Sequence, residues 1–240
     1  MRKIKFVFIL VGIILVWTGC ATAGMKTLLF RRESITLVSI ISNEDVNWLG
    51  EDPTDPKSAG PVIRRNLRND PDLAIITNAD EILNMAEEVF REYLGKSPHF
   101  NQAEKDTALR SGAYRNARER KFPGRDMTIA RGYRFIDPRD KNFPAALAAE
   151  TGIRNTMFVE FKFTKFVSSG LSMAGTIKAQ VEMTVIILDA GGKNIYRKTL
   201  PMISSSSIKM SNGIYSQSGL YELFNDAIDG VCFDFFDRFN

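Results

Sequence analysis

Few residue patterns in this chain could do chemistry. Ser206-Ser207-Ile208-Lys209 has the Ser-x-x-Lys spacing that sets a serine nucleophile near a lysine base. That arrangement needs a helix behind the serine and companion Ser-Asp-Asn and Lys-Thr-Gly motifs, whereas this tetrad lies in a polar serine run with none of them. Gly170-Leu171-Ser172-Met173-Ala174-Gly175 approaches a Gly-x-Ser-x-Gly nucleophile elbow but is one residue too long. It also joins two strand-like segments, where an elbow requires strand, turn and helix, so it reads as a hairpin loop. His99 is the single histidine and follows Pro98 in a loop; a triad or a multi-histidine metal site would have to be built around that one residue. Glu222, Asp226 and Asp229 share a helix face, but metal ligands must converge on a point and an exposed face keeps its carboxylates solvated, so no metal and no cofactor is expected. Glycoside hydrolysis needs two facing carboxylates. Any of the 28 acidic residues could supply them, and none stands out.

Charge offers a second kind of chemistry. Between Lys105 and Arg134 there are nine basic residues against Asp106, Glu119 and Asp126. The expected partner-binding residues are Arg110, Arg115, Arg118, Arg120, Lys121 and Arg125, within a basic, loop-rich insert at about 96–126. A solvated charge run is the plain reading of such a stretch; a docking surface for a polyanion such as phospholipid headgroups, an anionic envelope polymer or an acidic protein is the functional one.

The first two dozen residues give the cellular address. Arg2, Lys3 and Lys5 precede an apolar run from Phe6 to Trp17, then Thr18-Gly19-Cys20 and Ala21-Thr22-Ala23-Gly24. A charged segment, an apolar segment and small residues make an export signal, and the run is well short of the roughly 20 residues a membrane-crossing helix needs. With cysteine after glycine at its end, the segment resembles a bacterial lipoprotein signal, which implies that Cys20 is lipidated and becomes the mature N-terminus. Ala21-Thr22-Ala23 also fits an ordinary signal-peptidase site, which would release a soluble protein from near Gly24. Cys20 and Cys232 are the only cysteines, and a bridge between the signal and the far terminus is not expected. Cys232 reads instead as a small core hydrophobe on an apolar helical stripe. Removing residues 1–19 leaves 29 basic residues against 28 acidic ones, so the sequence pI near 9.0 gives no warrant for a nucleic-acid partner.

The remaining chain divides into a lipidated tether at 20–33 and a single domain at 34–240. Ser34–Ile41 is β-branched and apolar on both faces at its centre, as an interior strand is. A Pro-containing loop follows at 43–57, then a short helix at about 58–68 and a brief strand at 73–77. Asn78-Ala79-Asp80-Glu81 has a capping-box pattern, with apolar residues recurring at Ile82, Met85, Ala86, Val89, Phe90 and Tyr93, so a helix is expected over about 79–94. The stretch 100–125 lacks apolar periodicity and is expected to be an exposed loop or lid holding a weak helix. Met127–Ile136 reads as a strand, and an Ala-rich helix opens at Asn142-Phe143-Pro144 and closes at Gly152. Strict alternation predicts long antiparallel strands at about 155–166 and 176–189, with a glycine turn leading into a third at 194–200. Ser204–Ser216 suggests an edge strand and loop, and an amphipathic helix over about 219–238 closes the chain. The fold class is α+β: a mostly antiparallel sheet with helices packed on it.

The order from Ala145 to Asn240 carries a further resemblance. An Ala-rich helix ending Glu150-Thr151-Gly152, a strand Met157-Phe158-Val159-Glu160, a long strand ending Leu188-Asp189-Ala190-Gly191-Gly192-Lys193, a short return strand and a terminal helix resemble the periplasmic domain of curli-secretion and penicillin-binding-protein-activator lipoproteins. Their Ala-Asp pair before the first strand is Arg154-Asn155 here. The resemblance implies a non-catalytic envelope protein that works by binding, with an envelope-polymer hydrolase as the alternative. Ala21 after the cysteine lacks the acidic residue that retains some lipoproteins at the inner membrane, which implies an outer-membrane anchor facing the periplasm or the cell surface. Metabolic labelling with a fatty-acid analogue is expected to mark the wild-type chain and not Cys20→Ser; equal incorporation in the two would refute lipidation at that position.

Overall fold

The structure is a computed structural model that describes residues 32–49, 78–171, 174–211 and 213–239. The signal, Cys20, most of the tether, and the helix and strand expected at 58–68 and 73–77 lie outside the described residues.

Eight strands and five helices are present among the described residues. The strands are β1 (Ser34–Asn43), β2 (Asn47–Trp48), β3 (Asn101–Gln102), β4 (Met127–Ile129), β5 (Asn155–Leu171), β6 (Ala174–Asp189), β7 (Asn194–Ile203) and β8 (Ile208–Ser211). The helices are α1 (Asp80–Lys96), α2 (Lys105–Leu109), α3 (Gly112–Asn116), α4 (Asn142–Thr151) and α5 (Gln217–Asp237). The main sheet order is β3-β1-β5-β6-β7, with β4 on β1, β2 on β5 and β8 on β6. The expected α+β class, the antiparallel run of β5, β6 and β7 and the closing helix are all present.

β1 is the interior strand its composition predicts, and it pairs in parallel with β5. A bulge between Leu37 and Ser39 breaks its alternation. Ile35, Leu37 and Ile40 therefore enter one core while Val38 enters another on the opposite face. The larger core lies under α1 and α5, which contribute Ile82, Leu83, Phe90, Leu220, Phe224 and Phe235. The two helices are fastened by an aromatic cluster in which Phe236 lies 5.3 Å from Phe90 and 5.9 Å from Tyr93, centre to centre. Two tyrosines bind them further: Tyr221 donates to Glu81 at 2.7 Å and Tyr93 to Asp229 at 2.9 Å. Burial and then these carboxylates push both phenols up to about 12, so they remain donors at any physiological pH.

Three sequence expectations are corrected in detail. The capping box does not form: Asn78 accepts from the amide of Asp80 at 2.7 Å, two residues on, and Glu81 is occupied by Tyr221. The strand expected over 127–136 stops at Ile129, because a turn closes from Tyr133 to Ala130 and Gly132 adopts a φ of 82°. The stretch 100–125 is no lid. It holds α2 and α3, and Ala108, Tyr114 and Ala117 are buried with Ile136, Phe143, Leu147, Phe158 and Ile186 in the second core. The sheet thus carries helices on both faces, and the short helices owe their stability to packing.

Phe224 is fully buried on α5 and meets Phe163 of β5 edge-on at 5.6 Å. Phe224→Asp places a carboxylate there without a partner, and a loss of about 4 kcal/mol or more is expected in denaturant unfolding.

Candidate functional site

α2, α3 and α4 cover only part of their side of the sheet, leaving an open strip along β5, β6 and β7. Its middle is a shallow saddle bounded by Arg120, Ile136, Pro138, Glu160, Thr184 and Ile186. Thr184 and Thr199 stand side by side on neighbouring strands with hydroxyls 2.8 Å apart. At the Asn43 end of β1 the strip opens into a pocket of about 340 Å³ lined by Asn43, Asp45, Asn47, Arg125, Asp126, Met127, Glu160, Phe161 and Lys162. At the other end it becomes a groove of about 470 Å³. Pro138, Ile186 and Leu188 give this groove an apolar floor, and Arg139, Lys141, Lys193 and Arg197 line it with no carboxylate among the lining residues.

Local chemistry builds the groove. The β6–β7 turn is closed by Asp189, whose side chain accepts from the amides of Gly191 and Lys193, both at 2.9 Å. Gly192 then sits at a φ of 73°, and a Cβ there would lie 2.7 Å from the carbonyl oxygen of Lys141. Only glycine meets both demands. The contact brings the turn against the start of α4, so cations some fifty residues apart in sequence share one groove. Lys141, Lys193 and Arg197 have no ion pair among the described residues.

Arg139 is held by Asp137. This carboxylate, 6% exposed, accepts from Arg118 at 2.8 Å and from the Arg139 side chain at 3.2 Å, with the Arg139 amide at 2.9 Å. Burial acts to raise its pKa, but the hydrogen bonds from Arg139 and the charges of Arg139 and Arg118 outweigh burial and leave it below the usual carboxylate value. Glu150 is lowered as well, by the amides of Ala113 and Gly112 that it accepts at 2.8 and 2.7 Å, and it thereby joins α4 to α3.

The expected partner-binding residues do not form one patch. Arg110 pairs with Asp106 on the surface, Arg118 with Asp137, and Arg120 with Glu160 at 2.8 Å. Arg134 pairs with Glu119, and Lys105 with Glu87 while lying over the Tyr133 ring. Arg115, Lys121 and Arg125 are exposed and have no ion pair among the described residues. Of the six, only Arg120 and Arg125 line the strip, and Arg118 reaches the groove through the carboxylate it shares with Arg139. Arg139, Lys141, Lys193 and Arg197 were not anticipated. Their signal in the sequence is two small basic groups, one before α4 and one beyond the Gly191-Gly192 turn.

The remaining chemistry-bearing motifs have structural roles. Ser206 precedes an edge strand with no helix behind it. Gly170 and Gly175 face each other across the β5–β6 hairpin. Asp226 accepts from the Ser205 amide and, at 2.8 Å, from its hydroxyl, while Asp229 holds Tyr93. Cys232 is fully buried, and burial pushes its thiol far above the usual range. Asn155 opens β5 and donates to the carbonyl of Ser34 at 3.2 Å, a bond the aspartate of the resembled lipoproteins could not make. No helix among the described residues is long and apolar enough to cross a membrane.

No family model matches the chain, and no curated protein does. Among solved structures, the LpoB C-terminal domain from Salmonella enterica is similar at a TM-score of 0.31 and 10% identity, over 77% of this chain and 96% of that one. The hypothetical protein CT253 from Chlamydia trachomatis is similar at a TM-score of 0.34 and 10% identity, over 87% and 93%. Likenesses this loose carry no argument about function.

Asp137→Asn keeps the shape but removes the charge that holds Arg118 and Arg139, and a loss of about 1–3 kcal/mol is expected at neutral pH. Because the folded carboxyl titrates below its unfolded value, its contribution is complete above pH 4 or so and fades as pH falls through the folded pKa. The difference in stability between wild type and variant, followed by denaturant unfolding, should therefore shrink on acidification.

Proposed function

We propose that this chain is a lipid-anchored lipoprotein of the bacterial cell envelope whose domain is a non-catalytic binding or assembly module. The observation that carries the reading is the segment from Arg2 to Cys20, in which a basic start and an apolar run make an export signal and the cysteine after glycine resembles the acylated end of a bacterial lipoprotein signal. The likeness of residues 145–240 to envelope lipoproteins, in the order of elements and in the Leu188–Lys193 turn, supports the same class.

The partner-facing surface in this reading is the exposed part of the basic stretch, of which Arg125 lines the pocket at the Asn43 end while Arg115 and Lys121 lie outside that pocket. Arg115, Lys121 and Arg125 form no ion pair within the described residues, Arg115 acting on Glu150 only at longer range, so an acidic partner gains their charge without first breaking internal pairs. Arg110 and Arg118 contribute less, since each already has a carboxylate.

Crosslinking in the native envelope tests the proposal. A partner captured by the wild type is expected to be lost, by tenfold or more, when Arg115, Lys121 and Arg125 are all changed to glutamate. These are exposed positions, so thermal stability should hold. Undiminished capture by the triple variant would remove this surface from the function, and hydrolysis of cell-wall glycan by the purified chain would replace binding with catalysis.

A further inference from the structure

The groove of Arg139, Lys141, Lys193 and Arg197 lies at the end of the sheet where the chain enters the domain. Ile35, at the start of β1, is in register with Asn155; Asn155 is in register with Asp189, and Leu188 with Asn194. The first residues of the domain and the β6–β7 turn are therefore three strands apart at the same edge, within about 15 Å given the spacing between strands. The pocket at Asn43 is at the opposite end, about 25–30 Å away along β1.

Only 14 residue steps separate Cys20 from Ser34, a reach of at most about 50 Å when fully extended. If Cys20 is anchored, the end of the domain bearing the groove is the end tied to the bilayer. We infer that this groove receives the anionic phosphoglycerol headgroup of a phospholipid in the membrane that carries the anchor, setting the domain's orientation with the Asn43 end outward. This rests on the anchored reading above. The chemistry fits a phosphodiester: guanidinium and ammonium groups around an apolar floor, with no lining carboxylate to repel the anion. Asp137 lies behind Arg139 and is already shared by two arginines, and Asp189 is turned inward to the amides of its own turn. Neither competes for Lys141, Lys193 or Arg197. The acyl anchor fixes the chain to the membrane, and a cationic site at the same end supplies the second contact that a single anchor lacks.

The test is lysine acylation by a membrane-impermeant reagent, read by mass spectrometry on the full acylated chain in vesicles of phosphatidylcholine with or without phosphatidylglycerol. Lys141 and Lys193 should label at least threefold more slowly when phosphatidylglycerol is present, while Lys121 and Lys209 do not change. In Arg197→Glu, the protection of Lys141 should disappear although the chain still pellets with the vesicles. Equal labelling of Lys141 in the two vesicle types overturns the inference and leaves the anchored reading standing. Failure to pellet with either vesicle overturns both. Protection by soluble polyphosphate and not by phosphatidylglycerol vesicles assigns the groove to a soluble polyanion and overturns the lipid assignment.

Discussion

Burial of β1 on both faces is the constraint from which the rest of the architecture follows. A strand with eight consecutive buried residues must have a layer above and a layer below it. One layer is supplied by the long helices α1 and α5, whose apolar faces are continuous. The other is assembled from two helices of five residues each and one of ten, which cannot persist alone and exist because Val38, Phe158 and Ile186 give them something to cover. The bulge after Leu37 adjusts the strand so that both layers are served.

The incomplete second layer is also what gives the molecule a usable surface. Three short helices span less of the sheet than two long ones, so the outer strands remain open on that side. Polar pairs such as Thr184 with Thr199 and Arg120 with Glu160 occupy positions that would be core on the opposite face. Charge on this surface is distributed unevenly: paired in the middle, partly paired at the Asn43 end and, Arg139 apart, unpaired in the groove beside the β6–β7 turn.

Most of the fold was legible where periodicity was strong. The alternation of Met157, Val159, Phe161 and Phe163, and of Ile177 through Ile187, specifies β5 and β6 because one face of each meets a core. The turn at Asp189–Lys193 and the stripe of α5 were equally plain. The stretch 100–136 was not, since its buried apolar residues are divided between two cores, Phe100, Ala130 and Tyr133 in one and Ala108, Tyr114, Ala117 and Ile136 in the other, and its helices are too short to show a period. Its high charge also conceals how far that charge is neutralised: Asp137, Glu160 and Glu87, which pair with its cations, all lie outside the stretch Lys105–Arg134. The groove escaped notice for a related reason. Its cations come from two distant segments and meet only because Gly192 permits a backbone contact with Lys141.

Cys232 has a consequence of another kind. Its thiol lies in the larger core, close enough to Tyr93 of α1 to act on its phenol, fully shielded and held in the protonated form. In the lipid-anchored reading proposed above, where Cys20 is acylated, this is the remaining thiol of the sequence. An alkylating reagent can reach it only when α5 lifts from the core, so the rate of modification reports the frequency of that opening. The protein thus carries a native clock for the detachment of its closing helix, readable in intact cells without an introduced label.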